Sequence, residues 1–529
     1  MSTAEAYLVV LGSFGGHRVG TLLEDVDFIR QDAVDVLRGQ GELVPTRSEL
    51  VNRAAGVLLG EACGDALGVP YEMAAPPVGE AVMKGGGLGP YDPGEWSDDT
   101  QMTLCVAQVA ARGLDLTSPR GLDAVAEAFV AWMGGGATDV GTQTRTVLSD
   151  ASARSGSPHQ RLTGASDALH ARTGLTAGNG ALMRTSIVGI AAVDDRQNTA
   201  EAARAVARLT HADPLAADSS VLWSEAIRVA VTQGRLDLAA GLNLVSTTNE
   251  GRWRDWIEEA TAADPGAFRD NGFTVTALQA AWAAITSTDR GDGSAMHLQR
   301  GLQAAVRAGH DTDTVAAIAG SLLGARYGSS AVPTQWRRMV HGWPGFRAHD
   351  LVELAVSTLG GGRRVGSWPS VETMVDLGIP TLGIPHPIDP DIVLGSISDL
   401  HRVASLDVQA VVSLCPLGLT DIPAAGMSPR DHIEFWINDD STDSTDSEAP
   451  NPHLDFVLDD ASSALRQFRA EGKRVLLHGR RGEHRTPAVA LRYAVDLGVA
   501  PELAQSSIRE ALPGIWAEGR LWEVAAHGA

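Results

Sequence analysis

The stretch GEWSDDTQMTL, residues 94–104, sets two carboxylates, Asp98 and Asp99, side by side just ahead of an apolar run. Met102, Cys105, Val106, Val109 and Ala110 recur at helical spacing, so the stretch predicts a helix that begins at the paired acids. Capping accounts for the acids locally. The Ser97 hydroxyl would accept from a free first-turn amide, and negative charge there opposes the positive end of the helix dipole.

The same helical texture spreads outward from this point. SELVNRAAGVLLGEACGDALG (48–68), LDAVAEAFVAWM (122–133), SSVLWSEAIRVAVTQG (219–234) and DTVAAIAGSLLGARYG (313–328) are Ala-rich and helix-periodic. Gly-rich loops separate them and alternating patterns are scarce, which predicts one all-α domain over 49–363. Residues 1–48 read as an N-terminal extension, with a strand over 6–11. A helix follows, with Leu22, Val26, Ile29, Ala33 and Leu37 on one face. STLGGGRRVGSWPS (357–370) reads as a linker. Beyond it, VQAVVSLC (408–415) and KRVLLHG (473–479) read as short buried strands, with LDDASSALRQFRAEG (458–472) as a helix between them. That alternation predicts a small α/β domain over 364–529. The acidic run NDDSTDSTDSEAP (438–450) reads as a surface loop.

Composition narrows the function. The 529-residue chain has a net charge of −23 and 44% hydrophobic residues. Such acidity argues against a nucleic acid bound through its backbone. The two lysines, Lys84 and Lys473, lie in no GK[ST] sequence, so a P-loop is absent. Cys63, Cys105 and Cys415 are far apart and form no zinc pattern, which predicts a reduced, cytoplasmic protein. Glu5 stands where a signal peptide carries positive charge, and no apolar run is long enough to span a membrane.

The paired acids recur. AGHDTDTVAAIAGSLLGA, from 308, puts Asp311, Asp313 and Thr314 at the start of another apolar helix. One carboxylate suffices for a cap, so two doubly acidic helix starts exceed the local need. If the two starts converge, four carboxylates meet and require protons or cations. Oxygen donors without His or Cys suit Mg²⁺ or Mn²⁺, and two ions roughly 3.5–4 Å apart match that many acids. Two independent caps is the competing reading. GGGATDVGTQTR (134–145) and GNGALMR (178–184) each precede a helix, where exposed amides suit an anion such as phosphate.

GVLLGEACGDALGVPYE, WSDDTQMTL, DVGTQTR, GNGALMR, THAD and AGHDTDTVAAIAGSLLGARYG follow one another in a familiar order. With VPTQWRRMVHGWPG (332–345) they make residues 50–360 resemble the ADP-ribosylglycohydrolases, including the glycohydrolase that reactivates nitrogenase reductase. The resemblance implies a hydrolase that releases ADP-ribose from an ADP-ribosylated protein or a related conjugate. It implies two divalent cations, with Ser97, Asp98, Asp99, Asp311, Asp313 and Thr314 as ligands. Glu72 matches an acid that joins or closes the metal site, Asp139 and Gly141 a loop near the ribose and diphosphate, and Asn179 and Gly180 a second substrate loop. His211 matches a histidine near the nucleotide. The anomeric carbon passes through an oxocarbenium-like state as its glycosidic bond breaks, and Glu72 or Asp139 supplies or relays the departing group's proton. The rival readings are an ADP-ribose-binding module without turnover and a hydrolase of another nucleotide-ribosyl conjugate.

KRVLLHGRRGEHRTPAVALRYA (473–494) resembles the HCxxGxxR[ST] signature of cysteine-dependent tyrosine and dual-specificity phosphatases. His478, Gly482, Arg485 and Thr486 match it, but Gly479 occupies the nucleophile's place. Cys415 lies on another strand, and Asp439 or Asp440 would match the general acid. The resemblance implies a pseudophosphatase that holds phosphate through Arg485 and the loop at Gly482.

Overall fold

Helices form where the apolar periodicity forecasts them, and they are described by a computed structural model. It describes residues 48–362, 378–418, 421–437 and 453–527, and five short strands nearer the N-terminus. Of those, Tyr7–Val9 pairs antiparallel with both Leu22–Leu23 and Leu43–Pro45. The strand expected over 6–11 is therefore present. The helix expected from Leu22 does not begin there, because Leu22 and Leu23 extend to pair with Tyr7–Val9. Val26, Ile29, Ala33 and Leu37 lie outside the described residues, as do Asp439, Asp440 and positions 363–370 of the expected linker. The front of that linker is helical instead: Ser357, Thr358 and Leu359 end the helix Ala348–Leu359.

Contacts sort the chain into two units. One comprises Glu49–Val332 and Met339–Arg364; the other comprises Met1–Ser48, Pro333–Arg338 and Val365–Ala529. Among the described residues no helix is long and apolar enough to cross a membrane.

The first unit is helical. Its site is carried by α1 (Ser48–Gly68), α2 (Asp98–Ala110), α3 (Thr142–Ala151) and α4 (Thr312–Tyr327). Glycine recurs every fourth residue along α1, at 56, 60, 64 and 68, which places all four on one face. That face meets α4 backbone to backbone. A Cβ on Gly60 would stand 2.3 Å from the Gly320 carbonyl oxygen, one on Gly64 2.1 Å from that of Ala316, and one on Gly68 2.4 Å from Asp313 Cα. The Thr312 hydroxyl donates to the Gly68 carbonyl at 2.9 Å. The two helices thus run antiparallel and set the last turn of α1 against the first turn of α4.

In the second unit a five-stranded sheet has the order β4-β3-β5-β2-β1, with β1 Ile384–Pro385, β2 Ile392–Ser396, β3 Ala410–Ser413, β4 His432–Glu434 and β5 Val475–Gly479. All neighbours are parallel except β1 and β2. Period-two alternation divides the strands between two cores. Ile392, Leu394, Val412, Val475 and Leu477 pack with the helices Leu454–Ala470 and Arg485–Asp496, while Val393, Val411 and Leu476 pack with Ile397, Leu400 and Ile422. Pro333–Arg338 is built into this unit: Thr334 Oγ1 donates to Asp460 Oδ2 at 2.9 Å and Arg337 pairs with the same carboxylate at 3.2 Å.

Candidate functional site

The residue that assembles the site is Asp65, on the last turn of α1. Its carboxylate accepts from the Ser97 amide at 2.9 Å, and from the amide and hydroxyl of Thr100 at 3.0 and 2.6 Å. A distant helix therefore caps α2, and the expected cap is corrected accordingly. Ser97 does occupy the N-cap position, but its hydroxyl bonds no first-turn amide; it donates to Asp99 Oδ2 at 3.0 Å.

The backbone contact between α1 and α4 then brings Asp313 to Asp65 and Asp99. One ligand oxygen from each of these three buried residues lies within 4.8 Å of the other two. A second group on the same criterion is Glu72, Asp311 and Asp313, so Asp313 belongs to both. Asp98 falls outside both groups, although Asp139, Asp65, Asp311 and Glu72 are the charges that act most strongly on it. The Thr314 side chain hydrogen-bonds at Asp99, and the Thr314 amide donates to Asp313 Oδ1 at 3.0 Å. Asp311 is held by its neighbours: Asn179 Nδ2 donates to Oδ2 at 2.6 Å, and the Asp311 amide donates to Asn271 Oδ1 at 3.1 Å.

The electrostatics are one-sided. Burial, then Asp139 and Asp65, push the Asp98 carboxyl well above the usual carboxylate range. Burial with Asp65 and Asp98 does the same to Asp99, and burial with Asp99 and Asp311 to Asp313. Asp65 is raised by burial against its three hydrogen bonds. Glu72 is pushed to about 7 by burial, then Asp311 and Asp139. Every charge among the main influences on these five is another carboxylate. Asp99 Oδ1 is buried without a hydrogen-bond partner among the described residues. An all-oxygen donor set with an orphaned buried carboxylate oxygen and no balancing cation among those influences fits hard divalent ions. Either protons or such ions must fill it.

The two glycine loops lie together. Gly141 is exposed at the N-cap of α3, two residues after the exposed Asp139. Gln143 Nε2 donates to the carbonyls of Thr176 and Thr210, each at 3.1 Å, joining α3 to both following loops. Gly180 lies against His211: a Cβ there would meet Cε1 at 3.2 Å. Buried Arg184 donates to the Gly180 carbonyl at 2.9 Å and the Thr210 hydroxyl at 2.7 Å, over the Phe129 ring at 4.6 Å. Burial, then Arg184, hold the His211 imidazole far below its ordinary pKa, so it is neutral. Its Nδ1 lies 2.8 Å from Thr210 Oγ1. Behind the acids, Glu61 takes the hydroxyls of Thr103 and Ser186, and burial raises it to about 8.

Asp65, Asn271, Arg184 and Glu61 are the residues that sequence reasoning missed. The signal for Asp65 was available. It is the one acid in an otherwise apolar last turn, GDALG, one position past Gly64 of the strictly spaced glycines.

In the second unit, the loop 479–485 joins β5 to the helix Arg485–Asp496. Thr486 Oγ1 accepts from the Gly479 amide at 2.7 Å and donates to the Gly395 carbonyl at 3.2 Å. Gly482 has φ +80°, and buried Arg485 donates to the Ile437 carbonyl at 3.1 Å. Cys415 is buried.

Residues 46–365 match the profile of the ADP-ribosylglycohydrolase family. The chain is 27% identical over 310 residues to the ADP-ribosylarginine hydrolase Tri1 of Serratia proteamaculans (strain 568), covering 56% of this chain and 76% of that one. It is 28% identical over 297 residues to the ADP-ribosyl-[dinitrogen reductase] glycohydrolase of Rhodospirillum rubrum, covering 54% and 89%. A solved ADP-ribosylglycohydrolase-related protein complex is 27% identical with a TM-score of 0.46, covering 59% of this chain and 99% of that one.

Proposed function

The chain belongs to the ADP-ribosylglycohydrolase family and is an enzyme of that class, and we propose that it releases ADP-ribose from ADP-ribosylated arginine in a protein, using two divalent cations. The observation that carries this reading is the pair of carboxylate groups sharing Asp313. The arginine linkage is taken from the Serratia relative's own activity.

Asp65, Asp99, Asp311 and Asp313 would hold the ions, with Ser97, Asp98 and Thr314 completing the ligand set and Glu72 beside it, left uncoordinated to carry a proton. Bound Mg²⁺ or Mn²⁺ would supply Lewis-acid stabilisation of the ribose hydroxyls and of an attacking water. The chain's own part is orientation and proton movement. Asn179 fixes Asp311 through its amide, and Asp65 fixes the start of α2 and with it Asp99. Arg184 and neutral His211 support the 178–184 loop, which with the turn at Gly141 is assigned to the diphosphate. The departing guanidine nitrogen needs a proton. Glu72, half-buried, is the group assigned to deliver it, and exposed Asp139 exchanges it with solvent.

The second unit is proposed as a pseudophosphatase that retains phosphate binding at Gly482 and Arg485. Attack on phosphorus needs a thiolate at position 479, where glycine has no side chain.

A panel of arginine-, serine- and nucleic-acid-linked ADP-ribose, read by mass spectrometry with wild type and Asp313→Asn, tests the first reading. Release from the arginine linkage by wild type alone is expected. Release from another linkage only would overturn the substrate assignment, and equal release by Asp313→Asn would overturn the site.

A further inference from the structure

Tyr91 lies in GGGLGPYDPGEW, a segment to which the family resemblance assigns no role. Its side chain is held by a turn built of glycines. Gly85, Gly86 and Gly87 all have positive φ, +72°, +79° and +83°. The Gly86 amide donates to the Tyr91 carbonyl at 2.9 Å. A Cβ on Gly89 would stand 2.7 Å from the Tyr91 ring and 3.3 Å from the Thr138 methyl, so only glycine at 89 leaves the ring its seat. A Cβ on Gly87 would meet the Val69 carbonyl oxygen at 2.2 Å, which anchors the turn to the segment leading into Glu72.

The seat holds a hydroxyl that bonds nothing among the described residues. Tyr91 is only 6% exposed, and its Oη has no hydrogen-bond partner among the described residues. Burying an unsatisfied phenol costs stability, and an apolar ring would fit the same seat without that cost. The charges that act most on the hydroxyl are those of Asp98, Asp65, Asp313 and Asp139, in that order, all groups of the acidic site. Burial and these carboxylates keep the phenol protonated, hence a donor as well as an acceptor.

We propose that Tyr91 is a substrate-contacting residue of the glycohydrolase site, its hydroxyl completing its hydrogen bond on a ribose oxygen of the bound ADP-ribosyl group. This rests on the glycohydrolase reading. The hydroxyl is unsatisfied among the described residues, and the carboxylates that act on it most are those assigned to the ribose end of the site. The glycine turn keeps the ring from rotating away when no substrate is bound.

Tyr91→Phe deletes one atom and keeps the ring. Three measurements are made beside wild type and Asp313→Asn: melting temperature without ligand, ADP-ribose affinity by calorimetry with Mg²⁺ or Mn²⁺ present, and kcat and KM for ADP-ribose release. Tyr91→Phe is expected to melt no lower than wild type, to bind ADP-ribose about tenfold more weakly, and to lose kcat/KM by a similar factor. A lower melting temperature with unchanged affinity would make the hydroxyl structural and overturn the assignment. Unchanged values throughout would overturn it too. Gly89→Ala, which pushes the ring while leaving the hydroxyl, is expected to weaken ADP-ribose binding as well. If wild type neither binds nor releases ADP-ribose, the glycohydrolase reading itself falls and takes the assignment with it.

Discussion

Gly60→Ala tests how the acidic site is assembled. The added Cβ would stand 2.3 Å from the Gly320 carbonyl oxygen and 3.1 Å from its carbon. The obstacle is backbone, so no rotamer change relieves it, and α1 and α4 must part by about 1 Å to restore ordinary contact. Overpacking of this kind costs about 1–3 kcal/mol, and the contact repeats at Gly56, Gly64 and Gly68, so the upper end applies. Alanine's better helix propensity returns about 1 kcal/mol, leaving a net loss of about 2 kcal/mol. That corresponds to roughly 3 °C in melting temperature for a unit of this size. The functional loss is larger in proportion. Parting the helices moves Asp65 relative to Asp313, and a displacement of about 1 Å at a reacting centre costs on the order of 100-fold in rate. Gly164→Ala is the control, since a Cβ there meets only the flexible Arg154 side chain, at 3.5 Å. It is expected to stabilise its helix by about 0.5–1 kcal/mol and leave turnover unchanged. Denaturation curves and ADP-ribose release for both variants decide the matter. A Gly60→Ala protein as stable and as active as Gly164→Ala would refute the backbone contact as the device that brings the acids together.

Other outcomes follow from the same structure. Asp65, Asp98, Asp99, Asp313, Glu72 and Glu61 all titrate higher in the folded chain than in the unfolded one, so the folded state holds extra protons and stability falls as pH rises through that window. In chelator the melting temperature should drop between about pH 5 and pH 8, Mg²⁺ should remove most of the slope and Asp313→Asn a part of it; a flat profile in chelator would contradict the burial of these acids. In the second unit, Asp460→Ala strands buried Arg337 without its carboxylate and should cost about 3–5 kcal/mol by denaturation; a change within error would mean the pair is solvated. Gly479→Cys is sterically admissible, its Cβ 3.3 Å from Arg485 Cβ and 3.4 Å from Thr486 Oγ1, and should acquire phosphomonoester hydrolysis absent from wild type. Activity in wild type mapped to this unit would contradict the pseudophosphatase reading.

Both doubly acidic helix starts, at Asp98 and near Asp311, were legible because they depend on local period and composition. Their convergence could be posed as a condition only. What realises it is the glycine face of α1, a contact across more than 240 positions that local pattern does not encode. Ser97 misled for a related reason. An N-cap serine ordinarily serves its own helix, but here Asp65, 35 positions before Thr100, takes the Thr100 amide from which the Ser97 hydroxyl would accept. The strands at Ala410–Ser413 and Val475–Gly479 were legible as apolar runs because both faces of the sheet are covered. The helix expected from Leu22 failed at its start, since amphipathic spacing over a few residues does not exclude pairing with a partner strand. Tyr91 carries no local signal at all, because its role depends on which side chains surround its hydroxyl.

The central claim is that the carboxylates sharing Asp313 hold divalent ions on which ADP-ribose release depends. Its most direct measurement is single-turnover release from ADP-ribosylated arginine after exhaustive chelation, followed by readdition of Mg²⁺ or Mn²⁺, for wild type, Asp98→Ala and Asp311→Ala. The expected result is release that stops on chelation, returns with the ion in wild type, and returns in neither variant while both stay helical. Undiminished release from fully chelated protein would contradict the claim.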